Sequence, residues 1–248
     1  MSRPHVIAFL GTVGSGKSTQ MMLLASELNR RKIKVRASSL KTGHIFAYFL
    51  EVILARMLAR KRKDAYPIRV LIEERPYVFR RFLKLWLALD MFSIAIKFLL
   101  SIYLPLKLGY VVLVEEYIPA TISDYIYLSK IARFTLGAQS FAITFPLKLM
   151  HLGGFTQIVF LNAENSVLKC RWKRRGSFYE RNDYLDMQRT VLLSISRRLS
   201  SNKLLYIDTS KQTVEETHQL IKKQLMSKVK GISKERHSVR QCGCMARL

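Results

Sequence analysis

Acidic residues are scarce in this chain of 248 residues: Asp and Glu number 17 against 42 Lys and Arg, a net charge of +25 at neutral pH. Such an excess points to a polyanionic partner (a phosphate-bearing small molecule, nucleic acid or an anionic membrane surface), with a basic solvated surface as the bland alternative. Cysteine is scarcer still. Cys170, Cys242 and Cys244 are odd in number and irregularly spaced, which excludes a disulfide framework and suits a reducing, cytoplasmic setting. Cys242 and Cys244 lack a second Cys or His pair to complete a zinc site. Long uncharged runs are missing too. LWLALDMFSIAIKFLLSIYLPL is broken by Asp90 and Lys97, and FTLGAQSFAITFPLKLMHLGGF by Lys148. Neither offers the ~18 uncharged residues of a spanning helix. The first suits a helix buried in a core or at a dimer interface, with peripheral membrane contact as the alternative. The opening MSRPHVIAFLG does not read as a signal peptide, and no internal repeat or low-complexity linker is present.

What is there is an ordinary globular balance, 49% apolar and 24% charged, which excludes wholesale disorder. Short apolar runs alternate with helical patterns. HVIAFLG, Lys34–Ser39, Tyr110–Val114, Ile158–Leu161 and Leu204–Ile207 read as strands. Lys17–Arg31 reads as a helix with Met22, Leu23, Leu24, Ala25 and Leu28 on one side. Ile45–Lys63 and Tyr77–Leu104 are helical, the latter ended by Pro105, and Ile68–Ile72 suits either state. Strands separated by helices give an α/β fold: a mostly parallel sheet with helices on both faces, in three layers. Residues 1–226 form one domain on this reading. Residues 227–248, basic and poor in large apolar side chains, read as a disordered tail.

One segment carries chemistry outright. GTVGSGKST (Gly11, Thr12, Val13, Gly14, Ser15, Gly16, Lys17, Ser18 and Thr19) satisfies G-x-x-x-x-G-K-[ST] between a strand and a helix. The glycines let the backbone curl so that N–H groups face phosphate oxygens, and the following helix adds its positive N-terminal end. Lys17 then reaches the β- and γ-phosphates, and Ser18 offers its hydroxyl to Mg²⁺. The expected ligand is a nucleoside triphosphate with Mg²⁺, and the expected fold is that of a P-loop NTPase.

Two further groups refine this. Glu115 and Glu116 follow YVVLV at the C-terminal end of a buried strand, where open α/β sheets place ligand chemistry. Glu115 is the candidate second Mg²⁺ ligand, and a neighbouring acid could orient or deprotonate an acceptor. Arg171, Arg174 and Arg175 lie in CRWKRRGSFYER. Arg171 and Arg175 are four apart, on one side of a helix, and suit neutralising a phosphoryl group in transfer. Gly176 lets a lid of about residues 171–182 bend.

These residues together resemble the thymidylate kinase family of nucleoside monophosphate kinases. GTVGSGKSTQ is similar to that family's P-loop. IYLPLKLGYVVLVEEY resembles its helix-Pro-x-x-x-Gly-strand stretch, with Pro105, Gly109 and Tyr117 matching and Glu115 at the Asp of Asp-Arg-Tyr. QIVFLNAENSVLKCRWKRRGSFYER resembles its strand, helix and lid, with Arg171, Arg175 and Glu180 in register. LLYIDTSKQTVEETHQLI resembles its last strand and helix, placing Asp208, Thr209 and Ser210 near the adenine side. The resemblance implies ATP- and Mg²⁺-dependent phosphoryl transfer to a nucleoside monophosphate such as dTMP, commonly in a homodimer. Lys17, Glu115, Arg171 and Arg175 are then catalytic, and Ser18 and Glu115 hold the metal.

The departures fall on the acceptor side. Glu116 replaces an Arg, Ala95 stands about where an acceptor-phosphate Arg belongs, and SSLKTGH replaces an Arg-Glu-Pro-Gly turn, leaving Lys41 and His44 as its phosphate ligands. Arg36, Arg75, Arg80 and Arg81 are nearby substitutes. Three alternatives follow: a nucleoside kinase, a polynucleotide 5′-hydroxyl kinase, or an ATP-binding regulatory protein at a polyanionic or membrane surface.

Overall fold

The structure is a computed structural model, described here for residues 6–43, 45–58, 67–137, 139–154, 156–176, 180–199 and 204–225. The basic tail expected beyond 226, His44, the segment 59–63 and lid residues 177–179 lie outside the described residues.

Five strands make one all-parallel sheet in the order β2-β3-β1-β4-β5: β1 Val6–Gly11, β2 Val35–Ser39, β3 Val111–Glu115, β4 Thr156–Asn162 and β5 Leu204–Asp208. The three central strands are buried on both faces, which is why they are nearly continuous apolar runs. Alternate residues serve different layers. Val6, Ala8, Leu10, Val112, Val114, Ile158 and Phe160 pack on one side with Trp86, Ile94, Ile122 and Leu192. Ile7, Phe9, Leu113, Val159 and Leu161 pack on the other with Met21, Leu24, Leu28, Ile221 and Leu225. The first side is covered by α4 (Pro76–Phe98), α6 (Ile118–Ile131) and α9 (Asn182–Leu199). The second is covered by α1 (Lys17–Arg30) and α10 (214–225). The remaining helices are α2 (Phe46–Leu58), α3 (Pro67–Glu74), α5 (Leu104–Lys107), α7 (Phe141–Leu152) and α8 (Asn165–Arg175).

Two local expectations change, and one that was open is decided. On α1 the inward side is Met21, Leu24 and Leu28, while Met22 and Leu23 face solvent at 68% and 37% exposure. Ile68–Ile72 is helical within α3. Pro105 does not end its helix. The chain widens into a π turn at Leu99–Tyr103, which accommodates a residue without an N–H, and helix resumes through Lys107 before Gly109. The continuous run Pro76–Lys107 is the one helix among the described residues long and apolar enough to cross a membrane. One side of it is core, with Phe79, Leu83, Trp86, Ile94 and Phe98 buried around a fully buried Asp90.

Candidate active site

Sterics shape the phosphate loop first. Gly11 ends β1 beside Leu161 of β4, with φ +140°, and a Cβ there would stand 2.0 Å from the Leu161 carbonyl oxygen. At Gly14, φ +88°, a Cβ would stand 2.6 Å from Trp172 Nε1. The loop is therefore clamped between β4 and α8. Trp172 and Leu168 of α8 complete that clamp with Ala163 and Leu185, and Val13 packs against them.

Lys17 opens α1 and is only 4% exposed. Its Nζ donates to the Thr12 carbonyl oxygen at 3.0 Å and lies 3.5 Å from Glu116 Oε1. Ser18 Oγ donates to Glu115 Oε1 at 2.6 Å, because β3 lies beside β1 in the sheet and ends level with the loop. The buried hydroxyls of Thr12 and Ser15 have no hydrogen-bond partner. Unpaired buried polar atoms are costly, and on a loop of this shape they suit a polyanion.

Glu116 sits in the left-handed region at φ +53°, uncommon for a residue with a side chain. Two lysines hold it: Lys17, and Lys41, whose Nζ is 3.4 Å from Glu116 Oε2. Burial pushes this carboxyl up, but the two ammonium groups outweigh it and hold the carboxyl below the usual carboxylate range. Glu116 thus bridges two cations.

Lys41 also lines a cavity of about 440 Å³, bounded by Thr42, Gly43, Glu51, Trp86, Asp124, Tyr127 and Tyr184 among others. Asp124 accepts from Thr42 Oγ1 at 2.7 Å and from Tyr184 OH at 2.9 Å, and Gln188 Nε2 donates to that phenol oxygen at 2.9 Å. Burial raises the Asp124 carboxyl, more than Lys41 and Thr42 lower it. Glu51, 4% exposed, accepts from Trp86 Nε1 at 2.9 Å. Burial pushes it up to about 7, against the indole N–H and with the help of Asp90. Asp90 lies beneath, accepting from the Gly43 N–H at 2.9 Å and from Tyr125 OH at 2.8 Å.

A pH prediction follows for Glu51. Its folded pKa is raised from 4.5 to about 7, so its contribution is fully present below about pH 4.5 and is lost as pH rises through about 7. The change is on the order of 3 kcal/mol. Glu51→Gln keeps an oxygen for Trp86 and removes the titration. Its melting temperature, compared with that of the wild type on both sides of this window, should lack that decline. A parallel decline in both proteins would contradict the assignment.

The arginines separate. Arg171, half-buried on α8, donates from Nη1 to the Gly14 carbonyl oxygen and to Thr209 Oγ1, both at 3.1 Å, and from Nη2 to the Thr209 carbonyl oxygen at 2.7 Å. It ties the phosphate loop to the end of β5. Arg175 is exposed at the end of α8, which Gly176 terminates at φ +62°. Of the substitutes named for the acceptor side, Arg36, Arg75, Arg80 and Arg81 do not line the cavity, and Arg80 donates to the Ala132 carbonyl oxygen at 3.0 Å. Arg181 lines it, with Glu180 and Asp183.

Glu51, Asp124, Arg181 and Tyr184 were not expected from sequence. A usable signal existed for the acids. Each is the single acid of an otherwise apolar helical run, Glu51 in FAYFLEVIL and Asp124 in IPATISDYIYL, and such a residue rarely stays buried without a task.

The donor set suits ATP and Mg²⁺. The loop offers glycine-shaped backbone, unpaired buried hydroxyls and an ammonium, and Ser18 and Glu115 present two hard oxygen ligands in contact. Mg²⁺ ordinarily takes few protein oxygens and leaves the rest of its shell to phosphate and water.

No protein-family model and no curated protein matches the chain. Solved structures do. A thymidylate kinase from Candida albicans is 15% identical, with 94% of each chain covered and a TM-score of 0.50. A thymidylate kinase from Ehrlichia chaffeensis is 16% identical over 91% of this chain and 99% of its own, with a TM-score of 0.43. The structural neighbours are thymidylate kinases, and the fold is that of the P-loop NTPases.

Proposed function

We propose that this chain is an ATP- and Mg²⁺-dependent phosphotransferase of the nucleoside monophosphate kinase type, passing the γ-phosphoryl group to a (deoxy)nucleoside monophosphate such as dTMP. The observation that carries this is the bridge Lys17–Glu116–Lys41, with contacts of 3.5 and 3.4 Å, joining the phosphate loop directly to the wall of the cavity. A donor and an acceptor held on either side of that bridge have their reacting ends adjacent, the main requirement of phosphoryl transfer.

Residues 12–18 and Lys17 would hold the ATP phosphates, and Ser18 with Glu115 would hold Mg²⁺. When bound, the nucleotide and metal supply the transferable group and neutralise part of its charge. Arg171 keeps the loop in register with Thr209. Arg175, exposed beside the bend at Gly176, is the candidate to close over the transferring group and exclude water. Arg175→Ala should therefore lower kcat about 10²-fold or more while changing the KM for ATP far less, in steady-state kinetics. An equal rise in KM with kcat intact would make Arg175 a ground-state binding residue only.

The cavity favours a second reading. Among its described lining residues four carboxyl groups (Glu51, Asp124, Glu180 and Asp183) meet two cations, Lys41 and Arg181. That balance suits an uncharged acceptor whose hydroxyl loses its proton to a carboxylate, as in a nucleoside kinase. Incubation with Mg-ATP and a panel of monophosphates and nucleosides tests both. The first reading expects ADP matched by a nucleoside diphosphate, and the second expects ADP matched by a monophosphate. ADP formation indifferent to every acceptor would contradict both.

A further inference from the structure

Glu51 is the acid of the cavity that no cation answers. It is buried on α2 and lines the cavity. Trp86 Nε1 donates to its Oε1 at 2.9 Å, and among the described residues no other hydrogen bond and no ion pair reaches the carboxyl. The charge that bears on it belongs to another acid, Asp90, and with burial it pushes Glu51 up to about 7. Both forms of the carboxyl are therefore present near neutral pH. The backbone is shaped around this group. At Gly43, φ +73°, a Cβ would stand 3.2 Å from Glu51 Oε1 and 3.8 Å from Oε2. Asp90 Oδ1 accepts from the Gly43 N–H at 2.9 Å, and Tyr125 OH donates to Asp90 Oδ2 at 2.8 Å. A buried carboxyl held at one oxygen is costly unless a ligand completes its hydrogen bonds.

The walls indicate what kind of ligand does so. Asp124 lies towards the bridge, since Lys41 lowers its carboxyl and Glu116 raises it. Neither bears on Glu51, which stands away from the phosphoryl end. Thr42 and Tyr184 donate to Asp124, Trp86 to Glu51 and Arg181 to Asp183, while Lys41 pairs with Glu116. These donors are engaged by the protein's own carboxyl groups, so a ligand meets acceptors in excess. A base with a carbonyl beside a ring N–H, as in thymine or uracil, sets oxygen against oxygen when Glu51 is ionised. A base with an amine beside a bare ring nitrogen, as in cytosine or adenine, gives the ionised carboxylate an N–H. When Glu51 is protonated, its O–H reaches the ring nitrogen of that same base. Of these two edges only the second suits Glu51 in both forms.

Taking the cavity as the acceptor site of the proposed kinase, we propose that Glu51 is its specificity-determining residue and selects an acceptor whose base carries an amine beside an unprotonated ring nitrogen. The amine donates to the carboxyl that Trp86 and Gly43 hold in place.

Paired acceptors test this on the full chain with Mg-ATP. dCMP is compared with dUMP, dAMP with dIMP, and deoxycytidine with deoxyuridine, because the members of each pair differ only at this edge. In at least one pair kcat/KM should favour the amine by about 10-fold or more. Glu51→Gln keeps an oxygen for Trp86 and turns an N–H towards the ligand, so the preference should reverse towards the carbonyl member. Glu51→Met fills similar space without polar atoms and should bring the ratio near one. No preference for the amine in any pair would overturn the proposal. So would a preference that both variants keep, or a loss in Glu51→Gln that falls equally on both members, since that marks a structural role. If no acceptor is turned over, the kinase reading fails by itself. Calorimetric titration of the same pairs, with a non-hydrolysable ATP analogue present, then reads the preference as a ratio of Kd values, and equal values would overturn the proposal.

Discussion

Lys17→Met is expected to reduce phosphoryl transfer by about 10²–10³-fold or more, the scale on which a positioned charge at a transferring phosphoryl group acts. Methionine keeps the length and apolar stem of the side chain, so the loss isolates the ammonium. Lys17 is buried and has two partners, the Thr12 carbonyl oxygen and Glu116. Removing it leaves Glu116 held by Lys41 alone, and the Glu116 carboxyl should rise towards its ordinary range. The fold should survive, because no core apolar contact is lost. Single-turnover assays with saturating ATP, beside circular dichroism and thermal melting of the same sample, separate the two effects. A variant that melts like the wild type and turns over like it would remove the phosphate loop from the chemistry.

Gly11→Ala should act through structure instead. The added methyl would meet the Leu161 carbonyl oxygen at 2.0 Å, a backbone atom that cannot swing aside, at a φ of +140° that alanine rarely adopts. The clash falls where β1 pairs with β4 in the middle of the sheet, so relief requires parting the two most buried strands. A loss of more than ~4 kcal/mol is expected, among the largest for a single substitution. Urea titration of the variant measures it. Gly16→Ala provides the contrast, since its Cβ would meet nothing within 4 Å and the cost there is backbone conformation alone. Equal stabilities for the two variants would contradict the steric account.

The sheet was legible in the sequence because buried parallel strands leave unbroken apolar runs, and the phosphate loop because its glycines, lysine and serine have fixed spacing. Ser18, read from the loop, and Glu115, read from the end of a buried strand, were each expected as Mg²⁺ ligands, and their side chains lie 2.6 Å apart. Elements whose pattern is mixed were harder. The helix α6 buries so much of its length that an amphipathic stripe is hard to see, and Pro105 signals an end that the π turn avoids. The cavity beside Lys41 was hidden for a different reason. Its walls come from α2, α4, α6 and α9, far apart in the chain, and no local spacing announces that Glu51, Trp86, Asp124 and Tyr184 meet. Arg171 shows the limit of reading charge alone. A guanidinium expected over the phosphoryl group is engaged by Gly14 and Thr209, while Arg175 one turn on is exposed.

The central claim is acceptor-dependent transfer between the two sides of the Lys17–Glu116–Lys41 bridge. Its most direct test is to supply ATP labelled in the γ-phosphoryl group together with Mg²⁺, dTMP and thymidine, and to separate the products by chromatography. The account predicts that label passes into a nucleotide: dTDP if the acceptor is the monophosphate, and dTMP if it is the hydroxyl. Label found only in ATP and inorganic phosphate, with Lys17→Met indistinguishable from the wild type, would contradict it.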